Sequence, residues 1–193
     1  MNDRRMQGED HLVGRHILIA LTGGIACFKI GSLVSSLVQK GATVDVIMTD
    51  AATRFIAPLT FESLTGRRVF DCQWKQGESC TPHHIQLATN ADAMLVAPCT
   101  MDMLAKLAHG MTDDPVSLVI SAIDRSKTPV LLSPAMNATM YAQPATTRNL
   151  KTLIDDGFTI LDPDAGWQAC NTVGKGRLPD MESLLRALAN SFQ

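Results

Sequence analysis

His84, Asn137 and Cys170 are the side chains of this sequence best suited to handle protons and carboxylates. A histidine beside a cleft serves as acid, base or proton store near neutral pH. It serves as readily as a structural or solvent-facing group. Asn137 lies in Ser133-Pro134-Ala135-Met136-Asn137-Ala138-Thr139-Met140. Its amide offers both donors and an acceptor, which suits orientation of a carboxylate or amide. The same side chain can instead close an Asx-turn on its own backbone. Cys170 lies in Gln168-Ala169-Cys170-Asn171-Thr172-Val173-Gly174-Lys175-Gly176-Arg177-Leu178. Two glycines make that stretch pliable, and Lys175 with Arg177 make it basic. A pliable basic loop carrying a thiol has the makings of a lid over a cleft.

Three further turns carry small or polar residues. Thr22-Gly23-Gly24-Ile25-Ala26 places two glycines where backbone N–H groups can approach an anion at a helix N-terminus. It also reads as a tight turn with no ligand. Met48-Thr49-Asp50-Ala51-Ala52 supplies a hydroxyl for a phosphate or ribityl group, or simply an N-cap. Pro98-Cys99-Thr100-Met101-Asp102-Met103 suits an anion or the polar edge of a ring. Cys99 beside Pro98 reads as a small buried filler rather than a nucleophile.

These turns need elements to position them. His16 to Thr22 is a short apolar run that reads as a buried parallel strand. Ile30, Leu33, Val34, Leu37 and Val38 fall on one helical face, with Gly41 as its stop. Thr43 to Met48 is a second strand, which completes a right-handed βαβ unit. Ala93 to Ala97 is a third, expected to stop at Pro98, and a helix follows through Met103, Leu104 and Leu107. Val116 to Ala122 is a helix capped by Asp113 or Asp114, with Pro115 in its first turn. Pro129 to Ser133 is a fourth strand, stopped by Pro134, and Phe158 to Leu161 a fifth. A short helix through Leu150, Leu153 and Ile154 separates them. Asp162 to Pro179 reads as irregular, Pro58 to Cys80 stays unassigned, and Met181 to Leu188 is a last amphipathic helix. Strands alternating with helices imply an α/β domain with a parallel sheet. Ligands of such sheets bind at the carboxyl ends of strands, so all these turns share one edge.

The chain has 193 residues, 46% hydrophobic, and a formal net charge of −2. That excludes disorder, collagen, coiled coil and disulfide miniprotein. A near-neutral chain carries no global electrostatic footprint for nucleic acid or an anionic membrane. Only 19% of residues are charged, which points to a surface partly covered in a homo-oligomer. No run reaches the roughly 18 apolar residues of a membrane span. Residues 1–14 read as a flexible tail without a signal-peptide core, ahead of one domain over 15–193. Five cysteines with no CxxC pair argue against a disulfide framework or a zinc site and for a reducing cytoplasm.

Five motifs, in order, carry a resemblance over roughly residues 15–180. They are TGGIACFK from Thr22, HHIQL containing His84, APCTMDMLAKLAHGMTDD from Ala97, PAMNATM from Pro134 and ACNTVGKGR from Ala169. Together they resemble the homo-oligomeric flavin-containing cysteine decarboxylases. The resemblance implies a Rossmann-like, flavodoxin-like three-layer fold. It implies FMN held by Gly23, Gly24, Ile25, Thr49, Ala51, Thr100, Met101, Asp102, Met103 and Ala135. It assigns His84 as the essential histidine, Asn137 to the substrate carboxylate, Met140 to packing nearby and Cys170 to the final proton. Thr89 and Asn90 stand where the family often has a basic residue and a tryptophan, so Lys29, Lys175 and Arg177 are the candidates for the substrate phosphate. Asp102 replaces a usual Asn, Asn171 a usual Gly and Leu178 a usual Met. The implied reaction converts 4′-phosphopantothenoylcysteine to 4′-phosphopantetheine in coenzyme A biosynthesis. It runs by thiol oxidation, loss of CO2 and re-reduction of the ene-thiol. Relatives that oxidatively decarboxylate a peptide's C-terminal cysteine stop at the ene-thiol and lack this cysteine. A non-catalytic flavin-binding regulator is the remaining alternative. The resemblance also implies a trimer, or a multiple of one, with each cleft shared between chains, and a mobile clamp near 165–179. No synthetase segment follows Gln193, and a separate phosphopantothenate–cysteine ligase is one candidate partner.

Overall fold

The computed structural model describes residues 10–74 and 83–192. Residues 1–9 of the expected tail, and Cys80 and Pro82, lie outside the described residues. The rest of that tail is packed chain. Asp10–Leu12 is a 3-10 turn, Leu12 is buried in the core, and the Gly14 N–H donates to the Gly41 carbonyl at 2.9 Å.

The chain runs β1 (His16–Leu21), α1 (Cys27–Gln39), β2 (Thr43–Met48), α2 (Asp50–Thr53), α3 (Pro58–Thr65) and α4 (His83–Asn90). It continues through β3 (Ala93–Cys99), α5 (Met101–Ala108), α6 (Pro115–Ala122), β4 (Val130–Pro134), α7 (Ala138–Tyr141) and α8 (Pro144–Asp155). It ends with β5 (Thr159–Ile160), β6 (Asp164–Trp167), β7 (Val173–Arg177) and α9 (Met181–Asn190).

Among the described residues, five strands form one sheet in the order β2-β1-β3-β4-β5. Each pairing in it is parallel. Side chains alternate across a strand, so β1 sends Ile17, Ile19 and Leu21 to one face and Leu18 and Ala20 to the other. The first face packs on α1, α3 and α9 through Leu33, Phe61 and Leu188. The second packs on α4, α5, α6 and α8 through Leu87, Leu104, Val119 and Leu153. Two covered faces explain why these strands read as continuous apolar runs. The result is the flavodoxin-like three-layer arrangement.

Four departures from the sequence reading have physical causes. Pro98 lies inside its strand, because proline lacks only the donor, whereas the fourth strand does end at Pro134. The Pro98 carbonyl still accepts from Thr22, and the β3–β4 register shifts between Val96 and Cys99. The unassigned stretch Pro58 to Cys80 contains α3, and Phe70 extends the sheet beside Ile47. The segment ahead of β3 is a helix, α4, whose polar sequence hides its short apolar face of Leu87 and Ala88. Asp162 to Pro179 is not irregular: β6 and β7 pair as an antiparallel hairpin.

Candidate active site

The sheet order reverses between β1 and β3, and this is where open parallel sheets bind ligands. Thr22 locks the two strands together there. Its hydroxyl donates to the Pro98 carbonyl at 2.7 Å and accepts from the Thr100 N–H at 2.9 Å. A cavity of about 640 Å3 opens above this point, within the range of small-molecule sites. Its floor is Gly23, Gly24, Ile25 and Ala26; its walls include Thr100, Met101, Ala135, Asn137 and Met140. The β6–β7 hairpin roofs it with Trp167, Gln168, Cys170 and Arg177.

The floor is built to receive an anion or a flat ring. A Cβ on Gly23 would lie 2.5 Å from the Ala51 Cβ, so only glycine lets these turns meet. On Gly24 it would stand 3.7 Å from the Pro98 ring, within the space the cavity occupies. Helix α1 starts here with no side-chain cap and no acidic residue in its first turn. The Cys27, Phe28 and Lys29 N–H groups of its first turn close on the Gly24, Ile25 and Ala26 carbonyls, so what the helix start presents to a ligand is its partial positive charge. Lys29 and Arg177 join it at the cavity wall. Burial pulls the Lys29 pKa down, and the positive charge of Arg177 adds to that. Two cations held at one wall favour an anionic occupant.

The other predicted residues divide into those at the cavity and those behind it. Thr100 caps α5 by accepting from the Met103 N–H at 3.3 Å. Asn137 caps α7: its Oδ1 accepts from the Met140 N–H at 2.8 Å. The Asx reading and the binding reading therefore coexist, because the cap uses the oxygen and leaves the NH2 for an incoming carboxylate. Thr49 caps α2 through the Ala52 N–H at 3.2 Å, and Ala51 supports Gly23 from below. Neither lines the cavity. Met103 is buried in the core. Asp102 sits outside, 3.9 Å from the Lys106 Nζ. Burial pulls Lys106 down, but its hydrogen bonds to Asp114 and Asp113 and the charge of Asp102 outweigh that and push it up. Lys175 turns away from the cavity, bonds Asp162 at 3.2 Å and lies over the Tyr141 ring.

His84 is not among the cavity residues. It is half-buried near the start of α4, whose first ring, His83, packs edge-on against Phe70 at 4.9 Å. Phe70 in turn lies beside Ile47 and Met48. The start of α4 thus sits at the carboxyl edge of the sheet, on the face opposite α1.

Sequence reasoning missed several lining residues. Pro98, Met136, Leu178, Phe28 and Trp167 line the cavity, and none was given a site role from the sequence. Gln168 has the strongest structural role of the group and no motif to announce it. The buried Cys99 thiol has its pKa pushed up by desolvation, as suits a filler. Among the described residues no group of His, Cys, Asp or Glu is arranged to hold a metal ion. Among them, too, no helix is long and apolar enough to cross a membrane.

Known proteins are similar to this chain in sequence and in fold. The Flavoprotein family model matches residues 5–193. The coenzyme A biosynthesis bifunctional protein CoaBC of Bacillus subtilis is 40% identical over 181 residues, covering 94% of this chain and 44% of that protein. Its counterpart in Vibrio cholerae is 42% identical, covering 94% and 45%. The chain thus spans less than half the length of these curated relatives. Among solved structures, a cysteine-to-serine variant of PPC decarboxylase complexed with pantothenoylaminoethenethiol superposes with a TM-score of 0.81 at 27% identity, covering 93% of this chain and 98% of that one. The FMN binding protein AtHal3 gives 0.77 at 28% identity, covering 92% and 96%. A match along nearly its whole length means that the chain belongs to the Flavoprotein family.

Proposed function

We propose that this chain is an FMN-dependent decarboxylase that converts 4′-phosphopantothenoylcysteine to 4′-phosphopantetheine. One observation carries the reading: the Cys170 hairpin covers the same cavity that holds Asn137 and the uncapped start of α1. The coenzyme A proteins and the PPC decarboxylase structure support the substrate.

The residues present fit FMN. Bare backbone at Gly23 and Gly24 and the positive end of the α1 dipole suit its phosphate. Ile25, Met101 and Ala135 offer apolar surface to a flat ring. When bound, FMN supplies reversible acceptance of a hydride from the carbon that bears the substrate sulfur.

The protein's own groups do the rest. The Asn137 NH2 orients the substrate carboxylate, while Lys29 and Arg177 meet its phosphate. His84 takes the thiol proton as the carbon–sulfur double bond forms. That bond is the electron sink that lets CO2 leave. The hairpin excludes water, and Cys170 supplies a proton to the ene-thiol. His84 lies outside its own chain's cavity, so it serves the cavity of a neighbouring copy in a homotrimer. Cytoplasmic residence belongs to the same proposal, as does a ligase supplying the substrate.

The test offers the FMN-loaded protein 4′-phosphopantothenoylcysteine and a peptide ending in cysteine, with products read by mass. CO2 and phosphopantetheine from the first substrate are expected. An ene-thiol as the final product would move the chain to the peptide-type enzymes. Absence of CO2 from both would overturn the reading.

A further inference from the structure

Gln168 is buried in the roof, with both ends of its amide engaged. Its Oε1 accepts from the Ala138 N–H at 3.1 Å and from the Thr172 hydroxyl at 3.2 Å. Its Nε2 donates to the Met136 and Lys175 carbonyls, each at 3.4 Å. A backbone N–H on one side and two carbonyls on the other leave one orientation for the amide. The oxygen must face Thr172. The main chain tightens the same tip: the Gln168 N–H donates to the Thr172 carbonyl at 2.8 Å, and Asn171 turns it in the left-handed region at φ 60°.

Thr172 Oγ1 also lies 3.0 Å from Cys170 Sγ. A hydroxyl has one proton, and here it goes to Gln168 Oε1. The thiol must then be the donor, S–H to Oγ1, with Gln168 Oε1 behind it at 3.9 Å from the sulfur. We propose that Gln168 and Thr172 are positioning residues that hold the Cys170 proton on sulfur and aim the thiol for its donation step, while Gln168 ties that thiol to the loop carrying Asn137. This rests on the decarboxylase reading above.

The step balances as follows. The carbon that lost CO2 takes the Cys170 proton; the C=C pair becomes the new C–H bond, and a sulfur lone pair forms C=S. The thioaldehyde carbon would then be reduced by the hydride equivalent that bound FMN would return, and its thiolate sulfur would be protonated from solvent. Cys170 is left as thiolate. The Thr172 hydroxyl rotates from Gln168 Oε1 to the sulfur and donates to it until solvent restores the thiol proton. One hydroxyl therefore serves both protonation states, as acceptor before transfer and donor after it.

The experiment compares Thr172→Val, Thr172→Ser and Gln168→Leu with the parent as FMN-loaded proteins. CO2 is measured separately from phosphopantetheine and ene-thiol. Thr172→Val should raise the ratio of ene-thiol to phosphopantetheine about tenfold, the worth of one hydrogen bond in a transition state. Thr172→Ser should restore the parent ratio. Gln168→Leu should raise the ratio and also the KM for CO2 release, because it loosens the Asn137 loop. A second readout needs no turnover: the Cys170 S–H stretch, identified by its loss in Cys170→Ser, should lie lower in the parent than in Thr172→Val. An unchanged ratio or an unmoved S–H band in Thr172→Val, with the parent active, would overturn the positioning role alone. A parent that releases no CO2 would overturn the decarboxylase reading and this inference with it.

Discussion

A methyl group on Gly176 would run into the Met136 carbonyl, and its φ of 138° is one that side chains rarely adopt. Gly174 faces the same limit, since a Cβ there would stand 2.6 Å from the Ala138 Cβ. The sequence presents these two glycines as sources of pliability. Their larger role is close approach: the Gly176 carbonyl accepts from the Met136 N–H at 2.9 Å and seats the roof on the Asn137 loop. Gly176→Ala should therefore lower stability by about 1–3 kcal/mol. Thermal denaturation checks the loss, and faster amide exchange at Met136 checks its location. Cys170, Asn137 and the Gly23–Gly24 turn are legible because their chemistry is local and their motifs are short. Gln168 is not, because two of its partners, Ala138 and Met136, are 30 and 32 residues away. Asp102 and Lys175 illustrate the opposite error. Each sits in a motif, yet a neighbouring opposite charge draws it away from the cavity.

At the scale of elements, the strands and long helices follow from apolar periodicity, and their caps from single residues. Asp114 rather than Asp113 caps α6, with Oδ1 accepting from the Val116 and Ser117 N–H groups at 2.9 and 3.0 Å. The choice was open in sequence because both aspartates precede Pro115; Asp113 instead bonds Lys106. The hairpin β6–β7 was illegible because its register breaks between Asp164 and Ala165 and its glycines mask any alternation. The amino edge of the sheet has its own tie. Asp45 in β2 accepts from His16 of β1 at 2.6 Å and from Arg67, beyond α3, at 2.5 Å. Burial pushes the Asp45 carboxyl up, but these hydrogen bonds and positive charges outweigh it and hold the pKa below its ordinary value of 3.8. A carboxylate with a lowered folded pKa stabilises the fold fully above the unfolded value. That contribution is lost as pH falls through the folded value. The melting temperature should therefore drop on acidification from about pH 4 downward. Asp45→Asn should be less stable than the parent at pH 7 and should show a shallower acid-dependent loss.

For the whole molecule, the order β2-β1-β3-β4-β5 puts the switch point, the uncapped α1 and the hairpin at one edge. The alternation of strands and helices already implied that edge. A single chain's sequence says less about what a second copy adds. Exposed Ile25 and Phe28 rim the cavity of one chain, while His84 stands near the same edge on the opposite face. A trimer with shared clefts predicts complementation. His84→Asn and Cys170→Ser chains are each deficient in phosphopantetheine formation when alone. Mixed and reassembled in equal amounts, they should recover about a quarter of parent activity, since random closed rings give that share of intact sites. Size-exclusion chromatography should show the same assembly for both variants. No recovery would place His84 and Cys170 in the cleft of a single chain.

The claim on which the rest depends is that the cavity at the β1–β3 switch point binds FMN. The most direct measurement is the visible absorption spectrum of the purified protein after incubation with FMN and removal of free flavin, with the released chromophore identified by mass. A bound flavin spectrum and a mass equal to FMN are expected, with loss of both in Gly23→Val, whose side chain would collide with Ala51. A protein that stays colourless, or a Gly23→Val variant that folds and retains FMN as the parent does, would contradict it.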